Sequence, residues 1–287
     1  MSLLAYAFAQ RALVAAILIG TIGPLIGVFL VQRRLALLGD GIGHVALTGV
    51  GLALLLGWAP LGTAAAAAAI GAVLIEIIRE RSRTAGDLAL ALLFYGGIAG
   101  GVMLASLAPG GSTALLYTYL FGSLTTVSAA DLWVLVALAV VTVALLALWG
   151  RQLFAVGLDI DVARVQGLQV STMNTLLAAL AAISVVIGMR VVGLLLVSAI
   201  MIVPVAAAQQ LTRSFRTTTV LAVGIGFSSA VIGLLFSFNV NVPPGPSIVL
   251  LALAIFGVLS IAAAVRRRRK APKAPAHSHT ALAKEAS

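Results

Sequence analysis

Residues 12–31 read ALVAAILIGTIGPLIGVFLV, a run of twenty residues that contains no charged side chain. A helix of about 20 apolar residues is long enough to cross the hydrocarbon core of a bilayer. Two more uncharged runs of this kind lie at 132–149 and 247–265. The chain lacks the alternating ten-residue segments that are typical of membrane β-barrels. The sequence therefore predicts an all-α, polytopic helical membrane protein.

The composition supports the same class of protein. Hydrophobic residues make up 62% of the 287 residues and charged residues only 9%, whereas about 25% of a soluble domain is charged. Too few polar side chains remain to cover a water-exposed surface, which excludes a soluble enzyme. The chain has no cysteine, which excludes disulfides, thiolate metal sites and cysteine nucleophiles.

Charged, glycine and proline residues divide the apolar sequence into about nine predicted transmembrane helices. We expect residues 1–265 to form the transmembrane domain and 266–287 to form a basic, disordered cytoplasmic tail, since the tail is rich in Ala, Pro and Lys. The sequence leaves open whether His277 and His279 in this tail bind metal. The predicted helices are 12–31, 36–57, 61–78, 87–107, 131–149, 171–189, 191–211, 217–237 and 247–265.

The basic residues predict the orientation of these helices. With the N-terminus outside and the C-terminus in the cytoplasm, 16 of the 18 Lys and Arg residues face inward, and only Arg11 and Arg190 face outward. This asymmetry follows the positive-inside rule and predicts a multi-pass membrane protein, in contact with lipid, whose C-terminus lies in the cytoplasm. It also accounts for the net charge of +10. We predict no nucleic-acid binding, because the chain has no platform of interleaved aromatic and basic residues.

Asp40 and His44 are the ionisable pair that stands out within a predicted span. Their i, i+4 spacing places both on one face of a helix. If the helix begins near Arg34, Asp40 lies roughly 9 Å and His44 roughly 15 Å along it. A carboxylate at that depth costs on the order of 2.5–3.5 kcal/mol, which a passing cation would offset. Carboxylate and imidazole together suit zinc, manganese or ferrous iron.

Two interpretations of this pair remain open from its spacing. His44 either hydrogen-bonds Asp40 or a neighbouring helix and holds the bundle together, or the pair binds a metal ion or proton. One chain offers only two ligands here, whereas zinc prefers four. A two-fold homodimer would supply two copies of each residue, and this is a hypothesis.

The sequence contains no motif for binding and hydrolysing ATP. It lacks the G-x-x-x-x-G-K-[ST] phosphate-binding motif, and all three lysines lie in the tail. A polar segment at 151–170, with Asp159, Asp161 and Arg164, is predicted on the inner face. It is either an ordinary connecting loop or a docking element for a cytoplasmic partner.

The chain resembles the bacterial zinc/manganese ABC importer permeases, the ABC-3 family. The resemblance includes RRLALLGDGIGHVAL, which contains Asp40 and His44, and YLFGSLTTVS before the fifth span. The tail lies outside the shared pattern. The matching stretches are 33–47, 85–88, 119–128, 163–168 and 190–208.

The resemblance implies a homodimer that binds two copies of a cytoplasmic ATP-binding-cassette ATPase and receives metal from an extracytoplasmic metal-binding protein. It implies that Asp40 and His44 contact zinc or manganese, with iron also compatible, as transported ligand and not as a permanently bound cofactor. It further implies that the ATPase docks on 151–170. The predicted coupling residues are Asp159, Asp161, Ala163, Arg164 and Gly167.

We therefore expect a non-enzymatic permease subunit that moves a divalent metal ion inward by alternating access, driven by a separate ATPase chain. The alternative is an ATP-independent secondary metal/proton transporter or channel, in which Asp40 and His44 relay protons. Co-purification with an ATPase separates the two.

Overall fold

A computed structural model describes residues 6–81, 85–109, 113–122 and 127–270. These residues form α-helices and, within the described ranges, no β-strand. The helices are α1 (Ala7–Gln32), α2 (Leu38–Leu56), α3 (Pro60–Arg81), α4 (Ala85–Ser106), α5 (Thr113–Phe121), α6 (Ala129–Leu158), α7 (Ile160–Val165), α8 (Val170–Val192), α9 (Leu194–Gln209), α10 (Phe215–Val240) and α11 (Pro244–Lys270).

All nine predicted spans are helical, which confirms the all-α membrane class. In the described part of the chain, eight helices are long and apolar enough to cross a membrane. The ninth, α9, has 16 residues, or about 24 Å at 1.5 Å per residue, and is shorter than predicted. The preceding helix α8 continues through Val192, and Gly193, at φ 87°, separates the two helices. Helix α9 therefore begins only at Leu194.

The ends of α6 and α11 lie later in the chain than the sequence predicted. Residues 151–158 belong to α6, so the polar segment between α6 and α8 is shorter than 151–170. The last helix continues through Lys270, five residues into the predicted tail. The rest of the tail, with His277 and His279, lies outside the described residues, and its disorder stays a prediction.

Aromatic contacts show which helix ends lie together. The ring centroid of Phe215, at the start of α10, lies 5.2 Å from that of Phe29 near the end of α1 and 4.7 Å from that of Phe154 near the end of α6. We call this the basic end of the bundle, because exposed Arg213 and Arg216 lie there.

The opposite end holds the first turn of α6 and the last turn of α8. There Arg190 forms an ion pair with Asp131 at 3.3 Å, and Asp131 also completes a capping box with Ser128. The up-and-down order of the helices therefore places Arg190 away from Arg213 and Arg216, as the charge pattern requires. The side of the membrane that each end faces stays a prediction.

Helix α2 lies inside the bundle, packed against α3, α4, α8 and α9. Small residues permit this close packing. A Cβ atom on Gly49 would lie 2.5 Å from the backbone oxygen of Thr63 in α3, and one on Gly51 would lie 2.6 Å from that of Gly101 in α4. The backbone of α2 thus contacts the backbones of two neighbours, which holds Asp40 and His44 between them.

Candidate metal site

The start of α2 lies later in the chain than predicted. Residues after Gln32 turn back on α1, where Leu35 donates its N–H to the carbonyl oxygen of Leu30 at 2.8 Å and Arg34 has φ 58°. Because α2 begins at Leu38, Asp40 is only about 3 Å and His44 about 9 Å along the helix. Both residues are closer to the basic end than the sequence predicted.

This position changes the reason why a carboxylate is tolerated. Asp40 lies in the first turn of α2, where the unpaired N–H groups and the helix dipole favour negative charge. Its side chain is also 26% exposed. The cost expected for a deeply buried carboxylate therefore does not apply to Asp40.

The two side chains face each other without forming a hydrogen bond. His44 Nε2 lies 3.6 Å from Asp40 Oδ1, which is longer than hydrogen-bond distance. His44 is buried, and its Nδ1 atom has no hydrogen-bond partner in the described part of the chain. A buried imidazole with an unused nitrogen does not match a histidine kept only to join helices by hydrogen bonds.

Helix α4 holds His44 in place. The Phe94 ring packs edge-on against the imidazole, with centroids 4.4 Å apart. A Cβ atom on Gly97 would lie 2.5 Å from the carbonyl carbon of His44, so only glycine permits this approach. The Thr48 hydroxyl donates to the Gly97 carbonyl oxygen at 2.9 Å. These contacts fix the backbone beneath the imidazole.

The spacing of the pair suits one metal ion. If a metal ion lay roughly 2.1 Å from both His44 Nε2 and Asp40 Oδ1, the angle between these two bonds would be about 118°, close to the tetrahedral angle. No group of three or more His, Cys, Asp or Glu side chains occurs among the described residues. One chain therefore contributes two ligands and leaves other coordination positions open for water or another chain.

A large groove lies elsewhere in the described part of the bundle. It has a volume of about 610 Å³, runs between α3 and α8, and is lined mainly by Ala, Val and Ile side chains together with Glu76. Neither Asp40 nor His44 lines it. The apolar lining does not suit a path for a hydrated cation.

The polar connection at the basic end forms a compact surface element, residues 159–169, which we call the coupling segment. Asp159 Oδ1 caps α7 by accepting the N–H groups of Asp161 at 2.9 Å and Val162 at 3.0 Å. Ala163 is buried and anchors the segment. Gly167, at φ 79°, turns the chain towards α8, a conformation that favours glycine.

The exposed face of the coupling segment carries apolar side chains beside charged ones. Val165 is 90% exposed, and Val162 and neighbouring Leu158 are also exposed. Arg164 and Asp161 form a solvent-exposed ion pair at 3.7 Å, which contributes little to stability. The structure thus brings the five predicted coupling residues into one element, separate from Asp40 and His44.

Sequence reasoning missed the residues on other helices that position these two sites. Phe94 and Gly97 were seen only as part of an apolar, glycine-rich span. Arg33 was counted only as an inner-face charge, and nothing in the sequence indicated that Gln32 and Asn174 join helices with it at the basic end. Each of these residues contacts residues that are distant in the chain, so the sequence around it does not indicate the contact.

A bundle of long apolar helices that holds an Asp–His pair between them is the architecture of a multi-pass membrane protein. The chain matches the family model described as "ABC 3 transport family" over residues 5–263. It belongs to that family, which confirms the resemblance, and it is a membrane subunit of an ABC transporter in the bacterial inner membrane.

Relatives with similar sequences span nearly the whole chain. It is 34% identical over 257 residues to the "Manganese transport system membrane protein MntC" of Listeria monocytogenes, covering 88% of this chain and 90% of the relative. It is 34% identical over 267 residues to a "Probable metal transport system membrane protein" of Treponema pallidum, covering 93% and 100%. The solved structure "PsaBC from Streptococcus pneumoniae in complex with Fab" includes a chain with TM-score 0.78 and 29% identity, covering 88% and 91%.

Proposed function

We propose that the chain is the permease subunit of an ATP-driven importer of divalent metal ions, with manganese the first candidate and zinc the second. The observation that carries this proposal is the Asp40–His44 pair, whose 3.6 Å spacing suits a metal ion, in a chain 34% identical to a relative named for manganese transport. The ion is cargo, and no cofactor stays bound.

Asp40 and His44 act as a transfer point for the ion. Asp40 supplies charge from the first turn of α2, and His44 supplies a nitrogen ligand from the next turn. Two ligands hold an ion weakly enough for release, whereas a closed four-ligand site would retain it. Each chain of a homodimer presents one such pair, and alternating access exposes it first outward and then inward.

The energy comes from other subunits. This chain has no phosphate-binding motif of its own, so hydrolysis belongs to two copies of a cytoplasmic ATPase. The exposed valines and leucine of the coupling segment and its flank offer these subunits an apolar docking surface, formed around Asp159, Asp161, Ala163, Arg164 and Gly167. An extracytoplasmic metal-binding protein delivers the ion to the other face.

Uptake by vesicles tests this proposal. The permease with its ATPase is placed in vesicles that do or do not enclose ATP, the metal-binding protein is added outside, and accumulation of radioactive manganese or zinc is followed. We expect ATP-dependent uptake that falls at least tenfold in Asp40→Asn and His44→Gln, because each removes a ligand. Asp131→Asn, the same change in a capping box, serves as control and keeps uptake per folded protein.

Two results would contradict the proposal. Normal uptake by both Asp40→Asn and His44→Gln would remove the pair from the path of the ion. Uptake that needs no ATP would support the secondary transporter instead.

A further inference from the structure

Arg33 ends α1 with its side chain turned into the protein. Its Nη1 atom donates to Asn174 Oδ1 in α8 at 2.5 Å, and its Nη2 atom donates to the Leu153 carbonyl oxygen in α6 at 3.3 Å. An arginine that merely reached for water at the membrane surface would point away from the bundle. The guanidinium group instead joins three helices.

The neighbouring residue strengthens this junction. Gln32 Nε2 donates to the Phe154 carbonyl oxygen at 3.4 Å. The surface of α6 is shaped to receive both side chains, since a Cβ atom on Gly157 would lie 3.2 Å from Gln32 Cδ and 3.5 Å from Arg33 Cγ. We call Gln32, Arg33 and Asn174 the latch.

The latch lies between the two proposed functional sites. Leu153 and Phe154 precede Asp159 by six and five residues, and Asn174 follows the last residue of the coupling segment by five. Arg33 therefore contacts both helices that flank this segment. On its other side, a short turn through Arg34, at φ 58°, leads to Asp40.

We propose that Arg33 is a positioning residue that transmits movement of the coupling segment to Asp40 and His44. The proposal rests on the proposed function, because it assigns a route between the ATPase and the metal pair. When α6 and α8 move together, the planar guanidinium fork carries the end of α1 with them. If α1 separated from α6 and α8, part-buried polar groups would lose their hydrogen-bond partners, so α1 moves with these helices. The short turn after α1 then passes the movement to the first turn of α2.

The expected signature is loss of coupling and not loss of binding. The complete transporter is assayed in vesicles for metal ions moved per ATP hydrolysed. Arg33→Gln and Asn174→Ala should each continue to hydrolyse ATP and bind the ATPase while this ratio falls at least fivefold. Arg213→Gln, the same change at an exposed position of the same end, should keep the wild-type ratio. Arg33→Lys, which keeps the charge but loses the fork, should be intermediate.

A cross-link gives a rescue that a purely structural role would not produce. Because the chain has no cysteine, Gln32→Cys and Gly157→Cys provide a unique thiol pair that a short reagent can join. Added to Arg33→Gln, the cross-link should restore the ratio of ions to ATP, since a covalent tether replaces the lost hydrogen bonds. Reversal of the cross-link should remove the gain.

The results separate this proposal from the proposed function. If wild type and Arg213→Gln move no metal, the proposed function is wrong. If wild type transports and Arg33→Gln keeps its ratio, the latch alone is wrong. A fall in ratio that is fully explained by a lower melting temperature or lost ATPase binding, and is not restored by the cross-link, also overturns the latch.

Discussion

Asp40 and His44 show how single residues acquire a role from their neighbours. Their spacing on α2 is a property of the sequence, but the contact of Phe94 and Gly97 with His44 is not. The first turn of the helix stabilises the carboxylate, and α4 fixes the imidazole. His44 Nε2 and Asp40 Oδ1 therefore lie 3.6 Å apart, and no hydrogen bond joins them.

Gly97→Ala tests this arrangement at the residue scale. The added methyl group would lie 2.5 Å from the carbonyl carbon of His44, so α4 must move away from α2, at a cost of about 1–3 kcal/mol. We expect a lower melting temperature in detergent and weaker manganese uptake. Gly96→Ala is the matched control, because its Cβ atom would meet nothing within 4 Å, and it should behave as wild type. Equal effects of the two substitutions would show that the contact with His44 is unimportant.

At the scale of elements, the short helix α7 depends on contacts that its sequence only partly indicates. Helix α7 has six residues, too few to be stable alone. It depends on the Asp159 cap and on Ala163 buried against the bundle. This anchoring leaves Val162 and Val165 exposed, an arrangement that soluble surfaces avoid unless a partner covers them.

Val165→Glu tests the docking role of α7. The side chain is 90% exposed, so the substitution should not change the fold, but it places a charge where the ATPase would bury an apolar surface. We expect the permease to bind its ATPase at least tenfold more weakly, about 1.4 kcal/mol, as measured by titration in lipid nanodiscs. Thr217→Glu adds the same charge at the exposed start of α10 and should bind normally. Unchanged binding by Val165→Glu would place the docking surface elsewhere.

At the scale of the whole molecule, charge and helix order agree. Arg213 and Arg216 lie at the basic end, whereas Arg190 lies at the opposite end in an ion pair with Asp131. Because successive spans run in opposite directions, Arg190 and the pair Arg213 and Arg216 lie at opposite ends only if each predicted span crosses the bundle. The short α9 must therefore return the chain to the basic end despite its 16 residues.

Cysteine labelling tests the predicted orientation in intact cells. The chain has no cysteine of its own, so Ala59→Cys, between α2 and α3, and Ser214→Cys, at the basic end, each give one reactive thiol. We expect a membrane-impermeant maleimide to label Ala59→Cys from outside and Ser214→Cys only after permeabilisation. The reverse pattern would place the N-terminus in the cytoplasm.

Much of this architecture could be predicted because the bilayer imposes a strong constraint. Every spanning backbone must satisfy its own hydrogen bonds, so uncharged runs such as 12–31 can only be helices. Helix ends were harder to predict, since α6 continues nine residues past its predicted end and α2 starts at Leu38. Those ends depend on capping and on contacts with other helices.

The amino-acid sequence by itself determined the class of protein, the alternation of its helices and the face that Asp40 and His44 share, because apolar length, charge and i, i+4 spacing are local properties. Only the tertiary structure decided that the carboxylate lies in a first helical turn and that Phe94 packs on the imidazole. It alone brought Arg33 to Asn174, 141 residues away. Contacts between distant residues depend on how helices pack, and a single sequence does not record that packing.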